Sequence, residues 1–152
     1  MKQYSTIEGA DGQPKKLSII PVDFSAEYRV YYEDTDVAGV VYHANYLKLM
    51  ERARTDWLIG LGYHPQQPAN SWGIIFTVRF AALDFKKPAY LGDSLSVSIN
   101  LVTLLGASLE VQQQISCDRG ILVSGKIRIA CLDSERFTVR RIPIELRNRF
   151  KR

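Results

Sequence analysis

Asp34, Thr35 and Asp36 stand at the end of a strand-like run, and His43 and Asn45 stand where helical periodicity begins a few residues later. Between them Gly39 supplies the conformational freedom of a tight turn. This spacing brings carboxylates beside a helix N-terminus, whose unpaired N–H groups and positive dipole end favour an anion. The stretch from Arg29 to Leu58, RVYYEDTDVAGVVYHANYLKLMERARTDWL, is therefore where catalysis is expected. The same residue types also have structural uses: Asp36 as a turn or cap aspartate, Tyr32 as a sheet aromatic and His43 as a packing group.

The elements that must position these groups follow from hydrophobic spacing. Tyr42, Tyr46, Leu49, Met50, Ala53, Trp57 and Leu61 recur three or four apart among Lys48, Glu51, Arg52, Arg54 and Asp56, which predicts a helix with one buried stripe. It is expected to run about five turns, to stop near Gly60 and Gly62, and not to continue past Pro65. Strands are expected at 26–32, 73–85, 94–104, 108–117 and 121–132, divided by KKPAYLGD, LLGA and DRG. In the third of these, Leu95, Val97, Ile99 and Leu101 alternate with Ser94, Ser96, Ser98 and Asn100. The fourth sets Leu109, Val111 and Ile115 against Glu110, Gln112, Gln114 and Ser116, as in a sheet covered on one face. The result is α+β: about five antiparallel strands and one long helix on their apolar face.

Composition bounds the rest. A chain of 152 residues, 46% hydrophobic and 24% charged, is long enough to bury a core without disulfide or metal. It has no apolar run long enough to span a bilayer. Cys117 and Cys131 are widely separated within strand-like segments, the pattern of reduced core thiols. Residues 1–22 contain no apolar signal core and are expected to form a poorly ordered leader before a single domain at 23–152, in a cytoplasmic protein. The net charge of +4 is uneven: after Ser134 there are seven Lys or Arg against two Glu. Such a tail favours anions or is simply a solvated surface, and no aromatics alternate with it as nucleic-acid binding would require.

Within the junction, YYEDTDVAGVVYHANYLKLMERAR closely resembles the signature loop of the 4-hydroxybenzoyl-CoA thioesterase family, especially its bacterial branch encoded beside the Tol–Pal envelope system, the YbgC type. The resemblance extends more weakly from Arg29 to about Pro143. It implies a hot-dog fold, a sheet wrapped around a central helix, and an acyl-CoA thioesterase acting without a cofactor of its own. It further implies Asp36 as the catalytic carboxylate, with His43 and Tyr32 alongside. A thioester is activated toward attack and its thiolate leaves readily, so a carboxylate plus an oxyanion site is sufficient machinery. The His43 backbone N–H is the expected oxyanion donor.

Gly39, Tyr42, Arg79, Lys126 and Arg128 are the candidates for substrate contact, with Lys86, Lys87, Arg140 and Arg141 as further cations for coenzyme A phosphates. Arg79 is also a possible ion-pair partner of Asp84 or Asp36, and Asp34 of Arg29 or Arg52. Asn45 is expected to serve backbone groups of the first helical turn, and Tyr46 and Trp57 to fill the core. Glu51 is the helical carboxylate that other hot-dog subfamilies use, and His64 is a surface residue. No metal site is expected. The resembled family pairs two sheets into one, implying a homodimer or a tetramer with the pocket at the interface. The competing readings are a non-catalytic module that binds acyl-CoA or an acyl-carrier protein, and a hydroxyacyl-thioester dehydratase.

Overall fold

A computed structural model describes residues 22–66 and 72–151, so the expected leader lies outside the described residues except for Val22. Strand β1 (Phe24–Arg29) leads through a short 3-10 turn (Tyr32–Asp34) to helix α1 (Asn45–Gly60). Four strands follow: β2 (Ile74–Phe85), β3 (Ser94–Leu104), β4 (Ser108–Cys117) and β5 (Gly120–Asp133). A short helix α2 (Ile144–Arg149) comes last. The strands form one antiparallel sheet in the order β1-β3-β4-β5-β2.

That order explains the long helix. β1 and β2 flank α1 in sequence yet occupy opposite edges of the sheet, so α1 must cross the sheet's face. Tyr46, Leu49, Met50, Ala53 and Trp57 meet Leu95, Val97, Ile99, Val111, Ile115 and Ile127 in a single core, as the two periodicities predict. Burying a side chain such as Met50 or Leu95 contributes roughly 2 kcal/mol. Gly125 makes the closest approach possible: a Cβ there would lie 3.1 Å from the Met50 Cε. This is the hot-dog arrangement.

The helix begins later than its stripe suggests. Tyr42 stands outside α1 and is exposed, because Asn45 is the first helical residue. At the other end Gly62, at φ +86°, forms a Schellman cap in which its N–H reaches the Ile59 carbonyl (2.8 Å) and the Tyr63 N–H the Leu58 carbonyl (2.9 Å). α2 then closes that end, with Leu146 buried and the Phe150 ring 5.3 Å from Trp57.

Gln113 departs from the expected pattern. It falls in phase with Val111 and Ile115 on the apolar face of β4 and is 0% exposed. Its amide donates to the Met50 carbonyl (3.1 Å) and accepts from Arg54 Nη1 (2.7 Å), so helix and sheet share one buried polar bridge. No helix among the described residues is long and apolar enough to cross a membrane.

Candidate active site

The segment between β1 and α1 is a miniature hairpin. β1 ends at Arg29, three residues earlier than expected, because the Asp34 carboxylate accepts the Tyr31 N–H (2.8 Å) and Thr35 Oγ1 donates to the Tyr32 carbonyl (2.9 Å). The chain therefore turns where the apolar alternation suggested extension. Tyr32 sits on that turn at 82% exposure and not on the sheet. Asp34 serves this turn in place of the expected ion pair with Arg29 or Arg52.

Thr35 then bridges to Val41, and the Asp36 N–H donates to the Val40 carbonyl (2.9 Å). Val37, Ala38 and Gly39 make the reversal, and Gly39 takes a φ of +76°, the left-handed residue that ends a three-residue hairpin loop. One carboxylate oxygen of Asp36 accepts the Ala38 N–H (2.8 Å), which fixes the side chain against its own turn while the residue remains exposed.

Three anchors pin the hairpin. Asn45 Nδ2 reaches back from the start of α1 to the Asp34 carbonyl (2.9 Å), a tie to the loop where a bond within the first helical turn was expected. The Val41 N–H donates to the Ala89 carbonyl (2.9 Å), and Val40 bridges to Tyr90. Tyr46, buried on α1, accepts the Ala89 N–H through its phenol oxygen (3.1 Å), so the same turn is held from beneath. Burial raises the Tyr46 phenol pKa, and the Asp93 and Asp36 carboxylates add to that rise.

The anchoring turn, residues 86–93, has its own clasp. Arg119 grips Asp93 through both carboxylate oxygens (3.1 and 2.6 Å) and stacks over the Tyr90 ring at 5.2 Å. The Asp93 carboxylate also accepts the Tyr90 N–H (2.8 Å), and the Arg119 guanidinium holds its pKa below the ordinary carboxylate range. Sequence reading recognised KKPAYLGD as a turn but not as the platform for Asp36, and it passed over Arg119. The available signal was an Asp in one turn and an Arg in another, which sequence separation alone does not join.

Beside the hairpin a hollow of about 250 Å³ is lined by Val41, His43, Tyr46, Phe85, Lys86 and Lys87. The exposed imidazole of His43 packs edge-on between Tyr42 (4.5 Å) and Phe85 (6.3 Å). Among the described residues the N–H groups of His43 and Ala44, just before the first residue of α1, have no hydrogen-bond acceptor. Lys86 Nζ lies 3.1 Å from Asp84, and Lys87 Nζ donates to the Arg119 carbonyl (3.2 Å).

The other residues expected to contact substrate are not among those lining this hollow. Arg79 is exposed at a bulge of β2, and among the described residues it pairs with neither Asp84 nor Asp36. Lys126 and Arg128 share the exposed face of β5, as their alternation predicts, but Glu110 engages both, at 3.8 and 2.8 Å. Three arginines of the basic tail are occupied by backbone carbonyls: Arg140 by Gly73, Arg147 by Leu105 and Arg149 by Leu61. His64 is exposed, Cys117 and Cys131 are free thiols, and burial pushes the Cys131 thiol up to about 11. Among the described residues no three His, Cys, Asp or Glu side chains gather into a potential metal site.

The model of the thioesterase-like superfamily matches residues 30–150, from the end of β1 through α2. The chain belongs to this family. It is 35% identical over 127 residues to the acyl-CoA thioesterase YbgC of Haemophilus influenzae, covering 84% of this chain and 93% of that protein. Among solved structures it is similar to a probable thioesterase from Bartonella henselae, with a TM-score of 0.73, 34% identity, and coverage of 78% of this chain and 98% of that one. A gentisyl-coenzyme A thioesterase gives a TM-score of 0.74 at 27% identity, over 83% of this chain and 98% of that one.

Proposed function

We propose that this chain hydrolyses the thioester of an acyl-coenzyme A to a free acid and a thiol, with Asp36 as the catalytic carboxylate. The observation that carries the reading is the placement of an exposed Asp36 on a hairpin tied to the start of α1 and to the 86–93 turn. As general base, Asp36 takes a proton from water, and the oxygen adds to the thioester carbonyl. The resulting oxyanion is met by the N–H groups of His43 and Ala44 at the positive end of the α1 dipole. Collapse breaks the C–S bond, and the thiolate takes the proton held by the Asp36 carboxylic acid, directly or relayed through the His43 imidazole, which returns Asp36 to the carboxylate. As nucleophile, Asp36 instead forms an anhydride that water then opens. No cofactor takes part in either route.

Tyr32, Gly39 and Tyr42 belong to the same β1–α1 segment as Asp36 and are assigned to substrate contact, Tyr32 with a share in catalysis. Lys86 and Lys87 suit the coenzyme A phosphates better than Lys126 and Arg128 because they line the hollow beside the hairpin. Arg79 is a weaker candidate for the same role. The protein works in the cytoplasm as a homodimer or tetramer: β2 is an edge strand bearing exposed Val78, Phe80 and Phe85, a surface suited to a second copy. A stable species of 17.3 kDa in light scattering would refute the oligomer.

Thiol release from a panel of acyl-CoA and acyl-carrier thioesters tests the activity, with Asp36→Asn as the control variant. Asn retains an oxygen to accept the Ala38 N–H, so the turn is kept while the carboxylate is lost. Turnover should fall by about three orders of magnitude; near-normal turnover refutes the assignment. A carrier-protein complex without turnover would instead favour the binding-module reading, which rests on the basic tail.

A further inference from the structure

The Asp36 hairpin is too short to hold its own place. Its ladder consists of the Thr35–Val41 bridge and two backbone bonds, from the Asp36 N–H to the Val40 carbonyl and from the Tyr42 N–H to the Asp34 carbonyl, both 2.9 Å. A two-stranded ribbon of this size is marginal in water by itself. Where the Asp36 carboxylate stands therefore depends on what the hairpin rests on, and one support is the fully buried Ala89 with its neighbour Tyr90.

Arg119 closes on that support from the turn between β4 and β5. Its guanidinium spans the Ala89–Tyr90 pair: Nη2 donates to the Pro88 carbonyl before it (3.4 Å), and the fork takes both Asp93 carboxylate oxygens after it. The Tyr90 ring lies beneath at 5.2 Å. The Asp93 carbonyl accepts the Val30 N–H (2.9 Å), which joins the clasped turn to the end of β1. The arginine is itself fixed, because its backbone N–H donates to Cys117 Sγ (3.4 Å) and Lys87 Nζ donates to its carbonyl (3.2 Å). Pro88 lines the hollow beside the hairpin, and Arg119 is not among the lining residues. A fork so fully engaged with one turn is placed to hold that turn, not to meet a substrate phosphate.

We propose that Arg119 is a positioning residue for Asp36: by clamping the 86–93 turn through Pro88, Tyr90 and Asp93, it sets where the hairpin and its carboxylate stand. The proposal rests on the reading of Asp36 as the catalytic carboxylate. Among the described residues Arg119 makes no hydrogen bond or ion pair with Asp36 or His43, so its loss changes the rate through geometry alone. A misplacement of about 1 Å costs on the order of a hundredfold in rate.

Arg119→Met keeps the aliphatic stem and removes the fork, and Arg119→Lys keeps the charge without the grip on two oxygens. In the full chain carrying Arg119→Met, amide hydrogen exchange should quicken about fivefold at Val41 and Ala89. Those N–H groups tie the hairpin to the turn and the turn to Tyr46. Exchange at Leu61 and Tyr63, at the far end of α1, should keep its wild-type rate. In the thiol-release assay kcat should fall about twentyfold with KM within about twofold of wild type, and Arg119→Lys should lie between the two. Adding Asp93→Asn to Arg119→Met should cost little more than the worse single variant, because both break one clasp. A raised KM at unchanged kcat would make Arg119 a substrate contact and overturn the proposal. A lower unfolding midpoint at wild-type kcat, unchanged exchange at Val41 and Ala89, or a double variant whose losses multiply would overturn it equally. Exchange needs no substrate, so it decides whether Arg119 holds the hairpin even where the wild type is silent on every thioester, a result that refutes hydrolysis alone.

Discussion

Gln113→Leu is the substitution whose consequence the structure states most sharply. Leucine matches the apolar face of β4 in shape and phase, so by hydrophobic pattern alone the change should be harmless. The structure argues otherwise, because the amide oxygen is the acceptor of a buried cation, at 2.7 Å from Arg54 Nη1. A hydrogen bond to a charged group contributes about 1.5–3 kcal/mol, and an orphaned buried charge costs more. The Met50 carbonyl, which also loses the amide donor, keeps its helical bond and adds little. A loss of about 3 kcal/mol is expected, lowering the midpoint of thermal unfolding by about 10 °C in a domain of this size. Adding Arg54→Met to Gln113→Leu removes the orphaned charge, so the double variant should be more stable than Gln113→Leu alone by at least about 1.5 kcal/mol. Urea unfolding followed by circular dichroism, with an unchanged denaturant slope, measures both steps. A double variant no more stable than the single refutes the reasoning. So does a Gln113→Leu cost below about 0.5 kcal/mol, which would mean that solvent satisfies the guanidinium.

Gly39→Ala places a Cβ where nothing lies within 4 Å, so only the left-handed backbone at φ +76° is penalised. A loss of about 1 kcal/mol in urea unfolding is expected, and about half of that for Gly39→Asn; equal costs for the two would remove the backbone explanation. Asp93, whose pKa Arg119 lowers, contributes stability that is present above the ordinary carboxylate value of about 3.9 and is lost as pH falls through its folded-state value. The stability gap between wild type and Asp93→Asn should therefore be level from about pH 5 to 8 and close below about pH 4, and a gap that widens in acid would reverse the assignment.

What the sequence made legible was whatever depends on short range. Alternation in β3 and the helical stripe of α1 correctly gave the faces that meet, because period 2 and period 3.6 are properties of a single element. The capped end at Gly62 was readable for the same reason, since glycine is favoured at the left-handed position that closes a helix. Tyr32 shows where this fails. Its alternation continued β1, but a carboxylate two residues further on captured the Tyr31 N–H and turned the chain. A local polar competitor overrode the strand pattern.

The candidate site was legible as residues but not as an assembly. Asp36, Gly39, His43 and Asn45 fall within ten positions of one another, and their order announces a turn into a helix. What holds that turn comes from far along the chain: Ala89 and Tyr90 dock it, and Arg119 and Asp93 brace the docking segment. Nothing in the spacing of these residues identifies them, because each is an ordinary turn or strand residue until the sheet order brings them together. Gln113 is the instructive middle case. It sits in phase with Val111 and Ile115, where a one-sided sheet calls for an apolar side chain, and that misfit was present in the sequence. A polar residue on the buried phase of a strand must find a partner or cost the fold several kcal/mol. The helix that covers the strand is where that partner should be sought, and its buried stripe passes through Arg54. Read this way, the misfit in β4 and the charge in α1 predict each other.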